Sequence, residues 1–245
     1  MLCLFDLGHE YWKNWFATQS GVRAYELTLE RIEWYVREYP RLVVCCDSPI
    51  SKRKEIEPTY KANRKEKPRE AIDSLTSVED RLIAWGVKVA KCDGYEADDL
   101  IGCLTEQAWP EPVEIICVDK DIACLISETV CLIGNRGRFW AEDCEHKYGV
   151  PPSMMTEWLA LVGDASDGIR GCDSLGPKRA ADLLKRFETI AGIQAASDDD
   201  ILSVPGVGKK TLACLREWDS TLALKLVRLL DDAPVKLIEL LPEGM

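Results

Sequence analysis

Acidic residues recur where the chain leaves a buried apolar run. Asp6 ends MLCLFD, Asp47 ends RLVVCCD, and Asp119 follows VEIICV, with Asp121 two residues later. A fourth group, YEADD, supplies Glu96, Asp98 and Asp99 just before or inside the first turn of an expected helix. In an open parallel sheet the C-terminal strand ends face one crevice. Asp6, Asp47 and Asp119 should therefore converge, with Asp98 and Asp99 carried in by their helix. Carboxylates crowded in this way repel, and without a counter-ion several would have to protonate. Hard divalent cations remove the conflict, since Mg²⁺ prefers carboxylate and water oxygens. Two such ions about 3.5–4 Å apart can clamp a phosphodiester, activate a water and stabilise the leaving oxygen. Taken singly, Asp98, Asp119 or Asp121 reads more simply as a helix cap; the constellation does not. Asp164 and Asp167, in GDASDG (163–168), read alone as a turn but are placed to close the same site from the other side.

The net charge of −11 at first argues against a nucleic-acid partner, but its distribution is uneven. Residues 51–70, SKRKEIEPTYKANRKEKPRE, hold eight Lys or Arg against four Glu, a local +4, so the remainder carries −15. A solvated loop is the usual fate of such a run; beside a carboxylate cluster it is also the half of a site that receives phosphates. Two Gly-rich turns add to this. DSLGPKRAADLL (173–184) reads as a hairpin entering a helix, with Gly176 permitting a tight turn and Pro177 opening the helix. Free N–H groups at that helix start, with Lys178 and Arg179, suit a backbone phosphate, which implies recognition of shape rather than of bases. PGVGKKTLACL (205–215) has the same grammar: Gly206 and Gly208 let backbone approach a phosphate, and Lys209 and Lys210 flank the helix start. An ordinary structural turn is an equal alternative for each hairpin.

The elements needed to position these residues are legible in outline. Apolar runs at 1–6, 41–47, 87–91, 113–118 and 129–133 predict strands, and helical spacing appears at 23–38, 69–84 and 96–108. Alternation of this kind predicts an α/β fold, a mostly parallel central sheet flanked by helices. After about residue 150 the pattern is helical, so residues 1–150 are expected to form a sheet domain and 151–245 a helical subdomain. The eleven cysteines include no CxxC pair, which makes a structural zinc site improbable. Those in strand-like runs read as small core residues, implying a reducing cytoplasm. No apolar run approaches the ~20 residues needed to cross a bilayer, and the N-terminus lacks the basic region of a signal peptide.

The pieces together resemble the 5′-nuclease family: the 5′-nuclease domain of bacterial DNA polymerase I, bacteriophage 5′–3′ exonucleases and flap endonucleases. Asp6, CDSP at Asp47, YKANR (60–64), GYEADD (94–99), VDKD (118–121), GDASDG and the GPKR hairpin (176–179) appear in the family's order, from Asp6 to about Leu230. The resemblance implies a PIN-like nuclease core with a helix-hairpin-helix subdomain. All nine acids would then be direct or water-mediated ligands of two or three Mg²⁺ ions, with Mn²⁺ as substitute. Lys61 and Arg64 would contact the scissile phosphate, residues 52–90 would form an arch passing the 5′ strand, and Arg53 would contact DNA. Tyr60 would stack on a base, since such stacking tolerates any sequence. The first hairpin would grip duplex phosphates with a bound K⁺. The implied partner is DNA with a 5′ flap, junction or end, with RNA primers as a further substrate, cut by a monomer in a bacterial cell or phage-infected host. The chain departs from the family in Asp6-Leu7-Gly8 where Asp-Gly is usual, in Gly168 where Asn is common, and in a short arch. It also has Lys13 where Arg is common, so a phosphate contact there would lose its bidentate geometry. Two other functions stand beside the nuclease: a structure-specific DNA-binding protein that has lost catalysis, and a PIN-type RNA nuclease. The complete carboxylate set discriminates against the first, and residues 173–216 against the second.

Overall fold

The computed structural model describes residues 1–241. The first half contains β1 (Leu2–Asp6), α1 (Leu7–Thr18), α2 (Gly21–Glu38), β2 (Leu42–Cys45), α3 (Arg53–Ile56), α4 (Arg69–Ala84), β3 (Lys88–Ala90), α5 (Ala97–Ala108), β4 (Val113–Ile116), β5 (Val130–Gly134), β6 (Gly137–Phe139) and α6 (Ala141–Tyr148). Then follow α7 (Met155–Val162), a short ladder of β7 (Gly163–Asp164) with β8 (Ile169–Arg170), α8 (Pro177–Phe187), α9 (Ile190–Ala195), α10 (Asp198–Leu202), α11 (Lys209–Glu217), α12 (Thr221–Val227) and α13 (Leu237–Leu240).

The main sheet has the order β3-β2-β1-β4-β5-β6 and is parallel except for β6, which returns as a hairpin on β5. Every residue of β1 is buried, because helices cover both faces and leave LCLFD no polar side. Strand β1 pairs with β2 (Cys3 opposite Leu42, Asp6 opposite Cys45) and with β4 (Leu2 opposite Val113, Phe5 opposite Ile116). The chain steps outward from β1 to β2 to β3 and then crosses back to β4, so the topological switch lies between β1 and β4. That is where an open α/β sheet leaves a crevice.

One face is covered by α1, α2 and α4, which bury Phe5, Tyr11, Trp15, Ile32, Val78 and Leu82. On the other, α5 sets Leu100, Ile101 and Leu104 in one core with Leu2, Leu4 and Ile115. That core continues without a break into the C-terminal helices through Leu184, Leu215, Leu226 and Leu241.

Of the stretch 52–90, expected as an arch or helical gateway, the part from Arg53 to Lys67 supplies one wall of a cleft and α4 packs against α1 and α2. Helix α4 is tied to α1 and α2: the Tyr11 hydroxyl donates to Ala71 O at 2.8 Å, the Ser74 hydroxyl to Gly21 O at 2.7 Å, and Gly21 N–H to the Glu70 carboxylate at 3.0 Å. The hairpin between α7 and α8 is set by contact of backbone with backbone. Gly163 has φ +75, and a Cβ there would lie 2.4 Å from Gly171 N. This close approach holds the loop that carries Asp164 and Asp167.

Candidate metal centre and phosphate cleft

A cleft of about 200 Å³ opens at the C-terminal edge of the sheet, and Asp6, Asp47, Glu96, Asp98, Asp119, Asp121, Asp164 and Asp167 all line it. Each arrives by a short route. Asp6 is the last residue of β1 and also caps α1, its Oδ1 accepting His9 N–H at 2.9 Å. Asp47 follows β2 and accepts Ala97 N–H at 2.9 Å, joining that strand end to the start of α5. Asp119 and Asp121 follow β4, Asp98 lies in the first turn of α5, and Asp164 and Asp167 sit in the loop from β7. Gly8, the family departure after Leu7, has a steric reason: an added Cβ would lie 2.8 Å from Asp47 Oδ2 and 3.5 Å from Asp6 Oδ1.

The electrostatics divide the cleft in two. Burial, with Asp47 and Asp119 nearby, pushes the Asp6 carboxyl up to about 7. Burial and the Asp6 and Asp119 charges push Asp98 well above the usual carboxylate range, and its Oδ1 is buried without a hydrogen-bond partner. Burial and Asp119 raise Asp121 to about 6, against the pull of Lys120. On the other side, burial opposes ionisation of Asp164, but Lys120 and Ser166 hold it at about 2. Glu96 is likewise lowered against its burial, by Lys61 and Arg53.

Such a donor set suits a hard divalent cation. The ligand atoms are mostly carboxylate oxygens, one of them orphaned, and several carboxyls are forced toward protonation for want of positive charge. Two groups bring ligand atoms within 4.8 Å of one another: Asp6 with His9 and Cys117, and Asp121 with Asp164 and Asp167. In the first, the Cys117 thiol lies 3.7 Å from Asp6 Oδ2, and burial together with Asp6 pushes its pKa well up, so it is a neutral donor there.

Four expected residues do other work. Asp99 is wholly buried and is not among the residues that line the cleft. Its carboxylate accepts from Arg53 Nη1 at 2.9 Å and Nη2 at 2.8 Å, from Glu96 N–H at 3.0 Å and from Leu230 N–H at 2.8 Å. Adjacent helical residues point about 100° apart, and here Asp98 lines the cleft while Asp99 is taken up by Arg53 and two backbone N–H groups. Arg53, expected on DNA, is buried as the other half of this clasp and also donates to Leu226 O and Arg228 O, each at 2.9 Å. Tyr60 is largely buried at the wall of the cleft, and its phenol lies 3.2 Å from Glu96 Oε2 and 3.3 Å from Asp167 Oδ2. Lys13 does not reach the cleft. Its ammonium lies 2.6 Å from the buried carboxylate of Glu10, which also pairs with Arg31 at 3.3 Å.

Lys61 and Arg64 do line the cleft. Lys61 has φ +58 and sets its ammonium 2.8 Å from Glu96 Oε2, while Arg64 pairs with Asp167. Three polar or aromatic lining residues were not foreseen, His9, Trp12 and Lys67, and neither was Lys120, which pairs with the lining acids Asp121 and Asp164. The Lys67 ammonium lies 4.1 Å from the Trp12 ring centroid, and burial lowers its pKa. His9 and Trp12 follow the Asp6 cap at helical spacing, a signal available once a helix is placed at 7–18.

In the first hairpin the positive φ falls on Ser174 (+68), not on Gly176, which caps α8 in an extended conformation. A Cβ at Gly176 or at Gly208 would meet nothing within 4 Å, so neither glycine is required by packing or by backbone strain. The hairpins touch: Arg179 donates to Gly206 O at 3.3 Å. Lys209 and Lys210 open α11, with Gly208 as its cap, and Val204 and Val207 are buried beneath. Lys178 lies in the first turn of α8.

Residues 3–149 match the family model for the 5′-3′ exonuclease N-terminal resolvase-like domain, and residues 150–239 that for the 5′-3′ exonuclease C-terminal SAM fold. A 5′-3′ exonuclease of Aquifex aeolicus is 32% identical over 209 residues, covering 83% of this chain and 70% of its own. DNA polymerase I of Bacillus caldotenax is 33% identical over 187 residues, 73% of this chain but 21% of the polymerase. The fold is shared with the bacteriophage T5 D15 flap endonuclease in complex with DNA and metal ions, at a TM-score of 0.76 and 20% identity, covering 94% of this chain and 88% of that one.

Two expectations follow. Asp99→Asn should lower stability by about 3–5 kcal/mol in urea melts, because it leaves buried Arg53 uncompensated, while ion binding by the folded protein persists. Full stability with lost ion binding would make Asp99 a ligand after all. The raised carboxyls of Asp6 and Asp121 bind protons that the unfolded chain has released. Their stabilisation is therefore complete below about pH 4 and is lost as pH rises through 6 and 7. Protein held in EDTA should melt at lower temperature at pH 8 than at pH 5, and saturating Mg²⁺ should remove most of that difference. A metal-free melting temperature that is flat over this range would show that the carboxyls are not crowded.

Proposed function

The chain belongs to the 5′-3′ exonuclease family, and from that premise we propose that its cleft hydrolyses DNA phosphodiesters at or near 5′ ends, on flaps and at junctions of single strand with duplex. It is a nuclease whose resident ions we take to be Mg²⁺, with Mn²⁺ able to substitute. One observation carries the reading. Carboxyls from three strand ends, with the orphaned oxygen of Asp98, share a narrow cleft with Lys61, Arg64 and Lys67 from a single basic loop. A phosphodiester needs both walls, one to supply cationic clamps and one to hold the anion.

Divalent ions held by Asp6, Asp47, Asp98 and Asp119, and by Asp121, Asp164 and Asp167, would neutralise the phosphodiester and supply an activated water. The protein's own residues do the rest. Lys61 and Arg64 rest on Glu96 and Asp167 and can exchange those partners for the phosphate, placing charge where it develops in the transition state. Tyr60 holds the two carboxylates they leave. Trp12 offers an aromatic wall at the cleft mouth, suited to an unstacked base.

Residues 1–150 would form the nuclease core and 151–245 the duplex grip. At the grip, the open space at Gly176 and Gly208 lets phosphates approach the starts of α8 and α11, with Lys178, Arg179, Lys209 and Lys210 adding charge and K⁺ a further ligand of the first hairpin. The coupling of the hairpins through Arg179 and Gly206 favours their acting on one duplex. The likeness to DNA polymerase I supports a role in primer removal or repair, with RNA primers among the substrates. Eleven free thiols suit a reducing cytoplasm, and the cleft needs no second copy, which suits a monomer.

A 5′-labelled flap substrate tests the reading. Cleavage should require Mg²⁺, stop in EDTA, and fall about 10²–10⁴-fold in Asp119→Asn, while that variant still binds the flap. Cleavage that persists in EDTA, or is unchanged in Asp119→Asn, would exclude the ion-dependent mechanism.

A further inference from the structure

Positive charge is distributed unevenly over the cleft carboxylates. Among the described residues, Asp6, Asp47, Asp98 and Asp119 have no Lys or Arg ion pair; only His9 approaches Asp119, at 3.8 Å. The carboxylates opposite each have a Lys or Arg partner from within the chain. Lys61 serves Glu96, Arg64 serves Asp167, and Lys120 serves both Asp121 and Asp164.

Lys120 is unlike the other two cations. Lys61 and Arg64 come from the basic loop, whereas Lys120 stands between two of the acids, in VDKD. Its Nζ lies 2.6 Å from Asp164 Oδ2 and 3.1 Å from Asp121 Oδ1. These belong to the three residues whose carboxylate oxygens come within 4.8 Å of one another. The ammonium therefore sits on the group that could hold a second ion. An ammonium there occupies lone pairs that a bound ion would use, and its unit charge repels a divalent cation placed a few ångströms away, so an ion must compete with it for that position.

We propose that Lys120 is a tethered counter-ion that occupies the second cation position, so that a divalent ion binds there only by displacing it. The inference rests on the reading that the cleft takes divalent ions. Its physical content is competition. The uncompensated half of the cleft binds its ion against carboxylate repulsion alone, which favours binding. The Lys120 half must first give up two charge-assisted hydrogen bonds. Binding should therefore be graded, tight in the first half and weak in the second. Lys120 is a positioning residue in this account. A third of its side chain is exposed, so leaving needs a change of rotamer and no change of fold.

Mn²⁺ titrated into the metal-free full chain, with free Mn²⁺ read by electron paramagnetic resonance, separates the two classes. Wild type should show one tight and one weak class. In Lys120→Met the weak class should tighten by at least about tenfold, as removal of a unit charge at this distance implies, with the tight class unchanged. The metal-free melting temperature should also fall, because Asp121 and Asp164 lose their shared cation. Lys120→Gln, which keeps a donor for the carboxylates without the charge, gives the same comparison in a less perturbed site, and Lys120→Arg should keep the weak class weak. A second-class affinity that is unchanged or weaker in both neutral variants overturns the inference. Failure of wild type to bind any Mn²⁺ would instead overturn the reading of the cleft as a metal centre.

Discussion

Repulsion among Asp6, Asp47, Asp98 and Asp119 arises because a parallel sheet delivers the ends of β1, β2 and β4 to one edge, where α5 adds a further carboxyl. Burial makes Asp6 and Asp98 costly to ionise beside the others, and Asp6 at about 7 is the clearest symptom. Much of the surrounding structure answers this repulsion. Backbone N–H groups at the starts of α1 and α5 accommodate Asp6 and Asp47, and Gly8 keeps side-chain atoms out of the space between them. No tethered cation reaches these four among the described residues, which leaves the need for positive charge to a ligand.

Across the cleft the same need is met from within. Lys61, Arg64 and Lys120 each rest on a carboxylate, so the metal-free protein holds a half with tethered cations and a half without them in one cavity. Behind them, the Arg53–Asp99 clasp joins α3 and α5 to the chain at 226–230. The basic loop, the helix that carries Asp98 and the C-terminal helices are thus fastened at one buried ion pair. Breaking such a pair costs more than forming it gains, which makes it a fixed point from which the loop carrying Lys61 and Arg64 projects.

The sequence exposed the convergence of the strand-end acids because topology alone requires it: βαβ alternation fixes a parallel sheet, and a parallel sheet fixes which loops meet. It did not show which of two adjacent acids faces the cleft. Asp98 and Asp99 have the same chemistry and differ only by their angle around α5, and it is burial that assigns one to the site and the other to Arg53. The cationic run at 51–70 was visible as charge, but a charge run does not say which members are buried, so Arg53 and Tyr60 read as surface contacts while Lys67 was passed over. Helix α1 was missed because it follows β1 without a connecting turn, with Asp6 serving as both strand end and cap, and with it went His9 and Trp12. Lys120 was hidden inside the motif that identified its neighbours.

If carboxylate crowding is what divalent ions relieve, their binding must expel protons from the carboxyls that crowding has protonated. Calorimetric titration of Mg²⁺ into the metal-free protein, in buffers of different ionisation enthalpy, counts those protons directly. Release of about one proton is expected at pH 6.5, where Asp6 retains most of its own, with less release as the pH is raised through the range in which Asp6 ionises. Binding with no proton release at any pH between 6 and 9 would mean that the acids are already charged without a cation, and would contradict the account.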